Sequence, residues 1–209
     1  MQELINKRSD LINGEVSTKL GIDRDSLIEW LSPLQDDQFA EYSDGDFLER
    51  LNIPLDSDEL SKFWPASGPN WDGLARIGSD KVLLIEAKAH IGEMISGPSS
   101  ARNELSVDLI RSSLASVQSY CAAPSNLDWN GPVYQYANRV AHLYFLRNVH
   151  SINAHLGNVY FVNDREMGGP STVDEWMGAI VLTKSLLGLR RHKLSAYMHD
   201  IFIDVSKLQ

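Results

Sequence analysis

The chain has 209 residues, of which 43% are hydrophobic and 22% are charged, and this composition fits a single globular domain over residues 1–209. Its formal net charge of −9 argues against a broadly basic nucleic-acid-binding surface, and Cys121, the lone cysteine, excludes an intrachain disulfide and a cysteine-based metal site. No apolar run is as long as a membrane-spanning helix and no hydrophobic signal segment begins the chain, so we expect a soluble cytoplasmic protein without membrane contacts.

Short helices are predicted for residues 1–55, as an N-terminal extension to an α/β core over residues 60–209. Residues 26–29 (Ser-Leu-Ile-Glu) match a capping box, which predicts that a helix begins there. Another helix is predicted over residues 44–51. Residues 16–31 also vaguely resemble a helix-turn-helix, but an ordinary turn between two helices is favoured because the second helix would carry little positive charge.

A β-hairpin is predicted next along the chain. Residues 63–71 are rich in aromatic residues, Pro and Gly, which indicates a first edge strand and a rigid loop. Residues 71–77 alternate in polarity, and residues 78–80 (Gly-Ser-Asp) are a hairpin turn. Residues 81–85 (Lys-Val-Leu-Leu-Ile) form an apolar run that only a strand buried on both faces would need.

The rest of the chain alternates between helices and strands. Apolar spacing and capping signals predict helices over residues 99–121, 134–148 and 172–187, with strands over residues 157–164 and 200–205. This order of elements predicts an α/β protein in which a mixed central β-sheet is flanked by helices.

Charged residues follow the buried strand directly. Since side chains alternate along a strand, Glu86, Lys88 and His90 share one face, and an ion pair or a metal must compensate their charges there. Asp72 lies fourteen residues before Glu86, and the antiparallel hairpin would bring it opposite the end that carries Glu86.

Two carboxylates beside an ammonium group suit the hydrolysis of a phosphodiester. Oxygen ligands from Asp72, Glu86 and the Ala87 carbonyl would hold a magnesium ion that lowers the pKa of an attacking water. Lys88 would orient that water or stabilise the developing negative charge. The alternative is a purely structural Glu86 to Lys88 pair, with Asp72 as a turn former.

The segment resembles the PD-(D/E)XK nuclease superfamily, which has the restriction-endonuclease-like fold. Its signature is an acidic residue, a spacer and then (D/E)-x-K on the next strand, and here these are Asp72 and the triplet 86–88. The resemblance covers residues 63 to about 93, and Trp-Asp replaces the usual Pro-Asp, with Pro69 three residues before Asp72. It implies a deoxyribonuclease that uses Mg²⁺ or Mn²⁺, in repair, restriction or mobile-element biology.

The resemblance also suggests further acidic ligands. Many members of the superfamily carry a glutamate on the helix before the sheet that completes the metal shell, and Glu49 is the candidate here, with Glu41 as its nearest rival. Glu93, in the loop after the strand, is a possible extra ligand or a loop glutamate without a role.

Candidate DNA contacts are the densest basic cluster, near the C-terminus, and the histidine after the triplet: Arg190, Arg191, Lys193 and His90. Arg139 and Arg147 add positive charge on another helix. For the cluster, an ordinary helix end explains the same residues equally well, and for His90 a surface position at a strand end is favoured.

Three functional classes remain open: a DNA nuclease, an inactive nuclease-fold module that binds nucleic acid or a protein, and an unrelated metal-dependent enzyme that acts on a small phosphate ester. Cutting both strands of a duplex usually calls for two active sites, so by analogy a homodimer is expected.

Overall fold

A five-stranded mixed β-sheet organises the protein in the computed structural model, which describes residues 1–208. The strands are β1 (Ile28–Ser32), β2 (Gly73–Ile77), β3 (Lys81–Lys88), β4 (Asn153–Val162) and β5 (Met198–Asp204), and they lie in this order across the sheet. The pairs β1–β2 and β2–β3 are antiparallel, whereas β3–β4 and β4–β5 are parallel. The predicted mixed sheet is therefore confirmed.

In the described part of the chain, seven α-helices surround the sheet: α1 (Gln2–Lys7), α2 (Ser9–Leu20), α3 (Asp44–Arg50), α4 (Ser57–Phe63), α5 (Glu104–Tyr120), α6 (Tyr134–Tyr144) and α7 (Val173–Leu186). Asn103 caps α5 by accepting the backbone N–H groups of Leu105 and Ser106, which explains why this helix begins at Glu104 and not at the predicted residue 99. The capping box predicted at the start of α7 is present, with Thr172 and Glu175 as its two members. None of the helices within residues 1–208 combines the length and apolarity that crossing a membrane requires.

The alternation of side chains along β3 separates two layers of core. Leu83 and Ile85 pack with buried residues of α1 and α2 on one face. Val82 and Leu84 pack with residues of α3 to α6 on the other face. Burial on both faces explains the continuous apolar run in this strand, because each fully buried aliphatic side chain contributes about 1.5–3 kcal/mol.

Two predicted elements at the N-terminal side were wrong. Residues 26–29 do not begin a helix, because β1 starts at Ile28 and pairs with β2 as the edge strand of the sheet. Residues 63–71 do not form that edge strand: Phe63 ends α4 and the following residues are a loop. The helix-turn-helix is also excluded, since α2 ends before Gly21 and a strand follows. In β1, pairing with β2 outweighs the local helix signal.

Candidate functional site

The β2–β3 hairpin places Asp72 beside the C-terminal end of β3, as predicted. Gly73 pairs with Ile85, and the Asp72 N–H donates to the Ile85 carbonyl at 3.0 Å. The Ala87 N–H donates to Asp72 Oδ2 at 2.7 Å. β2 begins at Gly73, so no backbone carbonyl of β2 lies opposite the Ala87 N–H. The Asp72 carboxylate accepts this hydrogen bond instead.

Glu86 is buried and is held by two cations. Only 5% of its surface is exposed. Lys88 Nζ donates to Oε1, and Arg139 Nε donates to Oε2 at 2.6 Å. Lys88 Nζ also donates to Gln135 Oε1 at 2.8 Å. Charge-assisted bonds to both oxygens explain how a carboxylate can lie inside the core at the end of an apolar strand.

Arg139 and Gln135 on α6 are the members of this network that sequence reasoning did not identify. Arg139 is 5% exposed, so it is a core residue and not part of a basic surface. Its Nη2 donates to the Asn70 carbonyl at 3.0 Å, and its guanidinium lies 5.1 Å from the centre of the Trp71 ring. Arg139 therefore ties β3 to the loop that carries Asp72. The signal for this pair was the i, i+4 spacing of Gln135 and Arg139, which puts both side chains on one face of α6.

Asp72, unlike Glu86, forms no ion pair within residues 1–208. Burial, and secondly the nearby charge of Glu86, raise the pKa of Asp72 from 3.8 to about 6, while the hydrogen bond from Ala87 and the charge of Lys88 act in the opposite direction. A carboxylate in this state gains from any cation that binds next to it.

The two carboxylates face different spaces. Glu86 and Lys88 line a small cavity of about 20 Å³ between β3, α6 and α7. Asp72 lines an outer pocket of about 400 Å³, together with Glu41, Ala87 and Glu93. Ala87 lines the outer pocket, whereas its neighbours Glu86 and Lys88 line the inner cavity, so the end of β3 is the wall between the two spaces. Lys88 and Arg139 are the basic residues of the inner cavity.

The residues fit a hard divalent cation in their chemistry, since Asp72, Glu86 and the Ala87 carbonyl offer only oxygen. Within residues 1–208, no three His, Cys, Asp or Glu side chains are grouped as a metal site. A bound Mg²⁺ often uses only one or two carboxylates and keeps several waters, so the number of oxygen ligands suffices, but Asp72 and Glu86 line different spaces and would have to reorient to share one ion. The raised pKa of Asp72 agrees with a site that favours positive charge.

The other predicted acidic ligands lie in two different pockets. Glu49 is exposed on α3 and lines a separate pocket with Gly45 and Asp46. Glu41, its rival, lines the outer pocket with Asp72. Glu93 also lines that pocket, where its carboxylate accepts the backbone N–H groups of Ala89 and His90. The structure thus brings Glu41 and Glu93 to Asp72, and it places Glu49 elsewhere.

His90 and the basic cluster lie apart from the Glu86 network. His90 precedes the 3₁₀ turn Ile91–Met94, and its Nε2 is 3.9 Å from Glu93 Oε1. Arg190, Arg191 and Lys193 are exposed in the loop before β5, where the Lys193 ammonium lies 4.8 Å from the centre of the Tyr120 ring. Because β3, β4 and β5 are parallel, this loop is at their N-terminal ends, whereas the triplet 86–88 is at the C-terminal end of β3.

No family model matches the chain, and no curated protein or solved structure matches it either. The membership in the PD-(D/E)XK superfamily stays a prediction from residues 63–93. Any function proposed for this site therefore depends on the chemistry of its own residues.

Proposed function

We propose that the protein is a divalent-metal-dependent phosphodiesterase that hydrolyses DNA. The observation that carries this proposal is the position of Asp72, whose carboxylate bonds to Ala87 and lies beside Glu86 with its pKa raised to about 6. A half-buried carboxylate whose pKa is raised chiefly by burial, in an outer pocket with other acids, is suited to bind a cation. The choice of DNA as substrate depends on the resemblance of residues 63–93 to the nuclease superfamily.

The candidate ligands are Asp72, Glu86 and the Ala87 carbonyl, with Mg²⁺ or Mn²⁺ as the ion. When bound, the ion would neutralise phosphate charge and lower the pKa of a coordinated water. The Ala87 N–H fixes one oxygen of Asp72, so the other oxygen keeps both of its lone pairs for a ligand. Arg139 holds Glu86 from the protein side, which fixes that carboxylate in one orientation.

Lys88 is the candidate catalytic residue. Its ammonium is held between Glu86 and Gln135, at the wall that separates the cavity from the Asp72 pocket. From this position it would stabilise negative charge that builds up on the phosphate in the transition state, or orient the attacking water. Its contribution should therefore appear in the rate of hydrolysis and not in metal affinity.

One observation favours the second candidate, an inactive module that binds nucleic acid or a protein. Both oxygens of Glu86 are already engaged by cationic side chains, Lys88 and Arg139. In this role the Glu86 network would serve only to stabilise the end of β3. A carboxylate oxygen has two lone pairs, however, so an ion can share Glu86 with these side chains.

The test compares Lys88→Met, Glu86→Gln and a control, Lys62→Met, on single-stranded DNA, double-stranded DNA and RNA with Mg²⁺ or Mn²⁺. Lys62 is an exposed lysine of α4. We expect Lys88→Met to lose about 100-fold or more of the rate while it retains Mn²⁺ binding in calorimetry. Glu86→Gln should lose both, and Lys62→Met neither.

The proposal fails if the wild type, free of contaminating nuclease, cleaves none of these substrates with either ion. Equal loss of thermal stability in Lys88→Met and Glu86→Gln, without a selective effect on hydrolysis, would identify the Glu86 network as structural and support the binding module.

A further inference from the structure

The helix α7 is apolar on both sides, although only one side is covered. Trp176, Ile180 and Thr183 face the sheet and are buried. The opposite side, which we call the α7 outer face, exposes five large apolar side chains: Val173, Met177, Val181, Leu182 and Leu186. A helix that is apolar all round is normally buried all round, and a contiguous exposed apolar patch marks an interaction site.

We propose that the α7 outer face binds the same face of a second copy of this chain, in an antiparallel pair with twofold symmetry. In such a pair each partner supplies the same patch, so the patch must be complementary to itself in shape and charge. The α7 outer face meets both conditions. The inference does not depend on the proposed hydrolytic activity.

The shape condition is met by small residues along the middle of the face. Gly178 is exposed there, and nothing lies within 4 Å of the place where a side chain would begin. Ser185 is the other small residue, and its hydroxyl donates to the Val181 carbonyl at 2.7 Å. Two such helices can therefore approach closely without burying an unpaired hydroxyl. Val173, Met177 and Val181 on one side of the small residues, and Leu182 and Leu186 on the other, would then pack around the contact.

The charge condition selects the antiparallel orientation and a second copy as the partner. Asp174 is exposed in the first turn of α7, and Arg190 and Arg191 are exposed just beyond its C-terminal end. Within residues 1–208 none of the three forms an ion pair, whereas Lys184 is already paired with Asp200 at 2.6 Å. Antiparallel packing places the acidic end of one helix near the basic end of the other, and parallel packing would place like charges together.

An anionic membrane surface is a poorer occupant for the same face. A helix that lies on such a membrane carries Lys and Arg on the polar side that borders its apolar residues. Here the bordering residues include Asp174 and Glu175, and the chain as a whole has a net charge of −9. The α7 outer face is therefore better suited to a protein surface that carries both acidic and basic residues, such as the same face of a second copy.

The α7 outer face leaves the candidate site open. Thr183 lines the small cavity beside Glu86, but it does so from the buried side of α7. No residue of α7 lines the outer pocket of Asp72, whose other lining residues are residues 1–3, Pro33, Glu41, Ala87, Ala89, Glu93 and Phe161. A dimer through α7 would thus hold two accessible sites in one particle.

The test measures the mass of the full chain by light scattering and sedimentation equilibrium over a range of concentrations. We expect the wild type to be a dimer, and the double variant Val181→Glu/Leu182→Glu to raise the dissociation constant at least about tenfold, because the dimer would bury like charges. The matched control is Leu105→Glu, since Leu105 is 81% exposed on α5. It should leave the dimer unchanged, and circular dichroism should show all variants folded.

Charge reversal tests the orientation. Asp174→Arg alone should weaken the dimer, Arg190→Asp/Arg191→Asp alone should weaken it, and combining the three changes should restore it. A wild type that stays monomeric at the highest soluble concentration, or a dimer that Val181→Glu/Leu182→Glu does not affect, overturns the proposal. A monomer that sediments with phosphatidylserine vesicles through the same two residues also overturns it and assigns the face to lipid.

Discussion

Asp72 and Glu86 lie at neighbouring strand ends, and within residues 1–208 Glu86 forms ion pairs whereas Asp72 forms none. Glu86 receives Lys88 and Arg139, whereas Asp72 receives one backbone N–H. Burial makes the ionised form of Asp72 unfavourable in the folded chain, which raises the pKa of this carboxyl. Two consequences of this asymmetry can be measured, one with pH and one with metal.

The first prediction concerns pH. Folding raises the pKa of Asp72 from 3.8 to about 6, so the folded state binds this proton more tightly than the unfolded state does. The group therefore favours folding at low pH, and this contribution is lost as the pH rises through about 6. Without divalent ions, the Tm of the wild type should fall relative to that of Asp72→Asn as the pH rises from about 4 to about 6.5, with little further change above that.

The control for this experiment is Asp108→Asn, because Asp108 is 70% exposed on its side chain and pairs only with Arg111 on the surface. The difference in Tm between this variant and the wild type should not change over the same range. A constant difference for Asp72→Asn as well would mean that Asp72 has no raised pKa.

The second prediction concerns metal binding. An ion that binds only the folded state raises Tm by mass action, so Mn²⁺ should raise the Tm of the wild type near neutral pH. Asp72→Asn should abolish the rise, since it removes an anionic ligand. Glu49→Gln should keep the full rise, because Glu49 lines a separate pocket. Equal rises in the wild type and Asp72→Asn would argue against the site.

At the scale of elements, α6 is the helix that closes the site. Arg139 bonds to Glu86 on β3 and to the Asn70 carbonyl in the loop before β2. We expect Arg139→Met to lower the free energy of unfolding by about 3–5 kcal/mol, since removing one partner of a buried pair leaves a buried charge under-compensated. Urea unfolding followed by tryptophan fluorescence measures this change.

The comparison for Arg139 is Arg111→Met on α5, which breaks an ion pair whose side chains are 75% and 70% exposed. Exposed pairs contribute about 0–1 kcal/mol, so this variant should unfold almost as the wild type does. Similar small losses in both variants would show that Lys88 alone compensates Glu86.

The sequence predicts most elements because their signals are local. The β2–β3 hairpin follows from the alternation in polarity and the Gly78 turn, and α7 follows from its capping box. The sequence did not predict β1, because the capping box at residues 26–29 indicates a helix more strongly than the five residues of β1 indicate a strand. β1 forms a strand because it pairs with β2, and this tertiary contact cannot be read from the local sequence. Arg139 was likewise missed as a partner of Glu86, since spacing within α6 does not say which strand that face of the helix meets.

At the scale of the whole molecule, the N-terminal helices are one layer of the core. Leu4, Ile12 and Val16 of α1 and α2 are buried against residues of β2 to β5, including Leu83 and Ile201. The N-terminal helices are therefore not a separate extension, because without them the face of the sheet that carries Leu83 and Ile201 would be uncovered. The sequence predicted helices here, but the residues that they cover depend on the assembled sheet.

A prediction follows for this layer. Ile12 is fully buried, so Ile12→Ala should lower the free energy of unfolding by about 2–5 kcal/mol. Leu27→Ala changes a leucine that is 72% exposed and should cost less than about 0.5 kcal/mol. Far-UV circular dichroism and tryptophan fluorescence should report the same midpoint for Ile12→Ala. Two separate transitions would show that the N-terminal helices unfold independently.

The pairing of Arg139 with Glu86 also sets an order of assembly. The two residues are 53 positions apart in the chain, whereas Asp72 and Ala87 are 15 apart. Because closing a longer loop costs more entropy, we expect the hairpin to form before α6 docks. Until then Glu86 must stay hydrated, since burying it with one cation fewer would cost several kcal/mol. Water should therefore leave the surroundings of Glu86 last, when the rest of the hairpin is already in place.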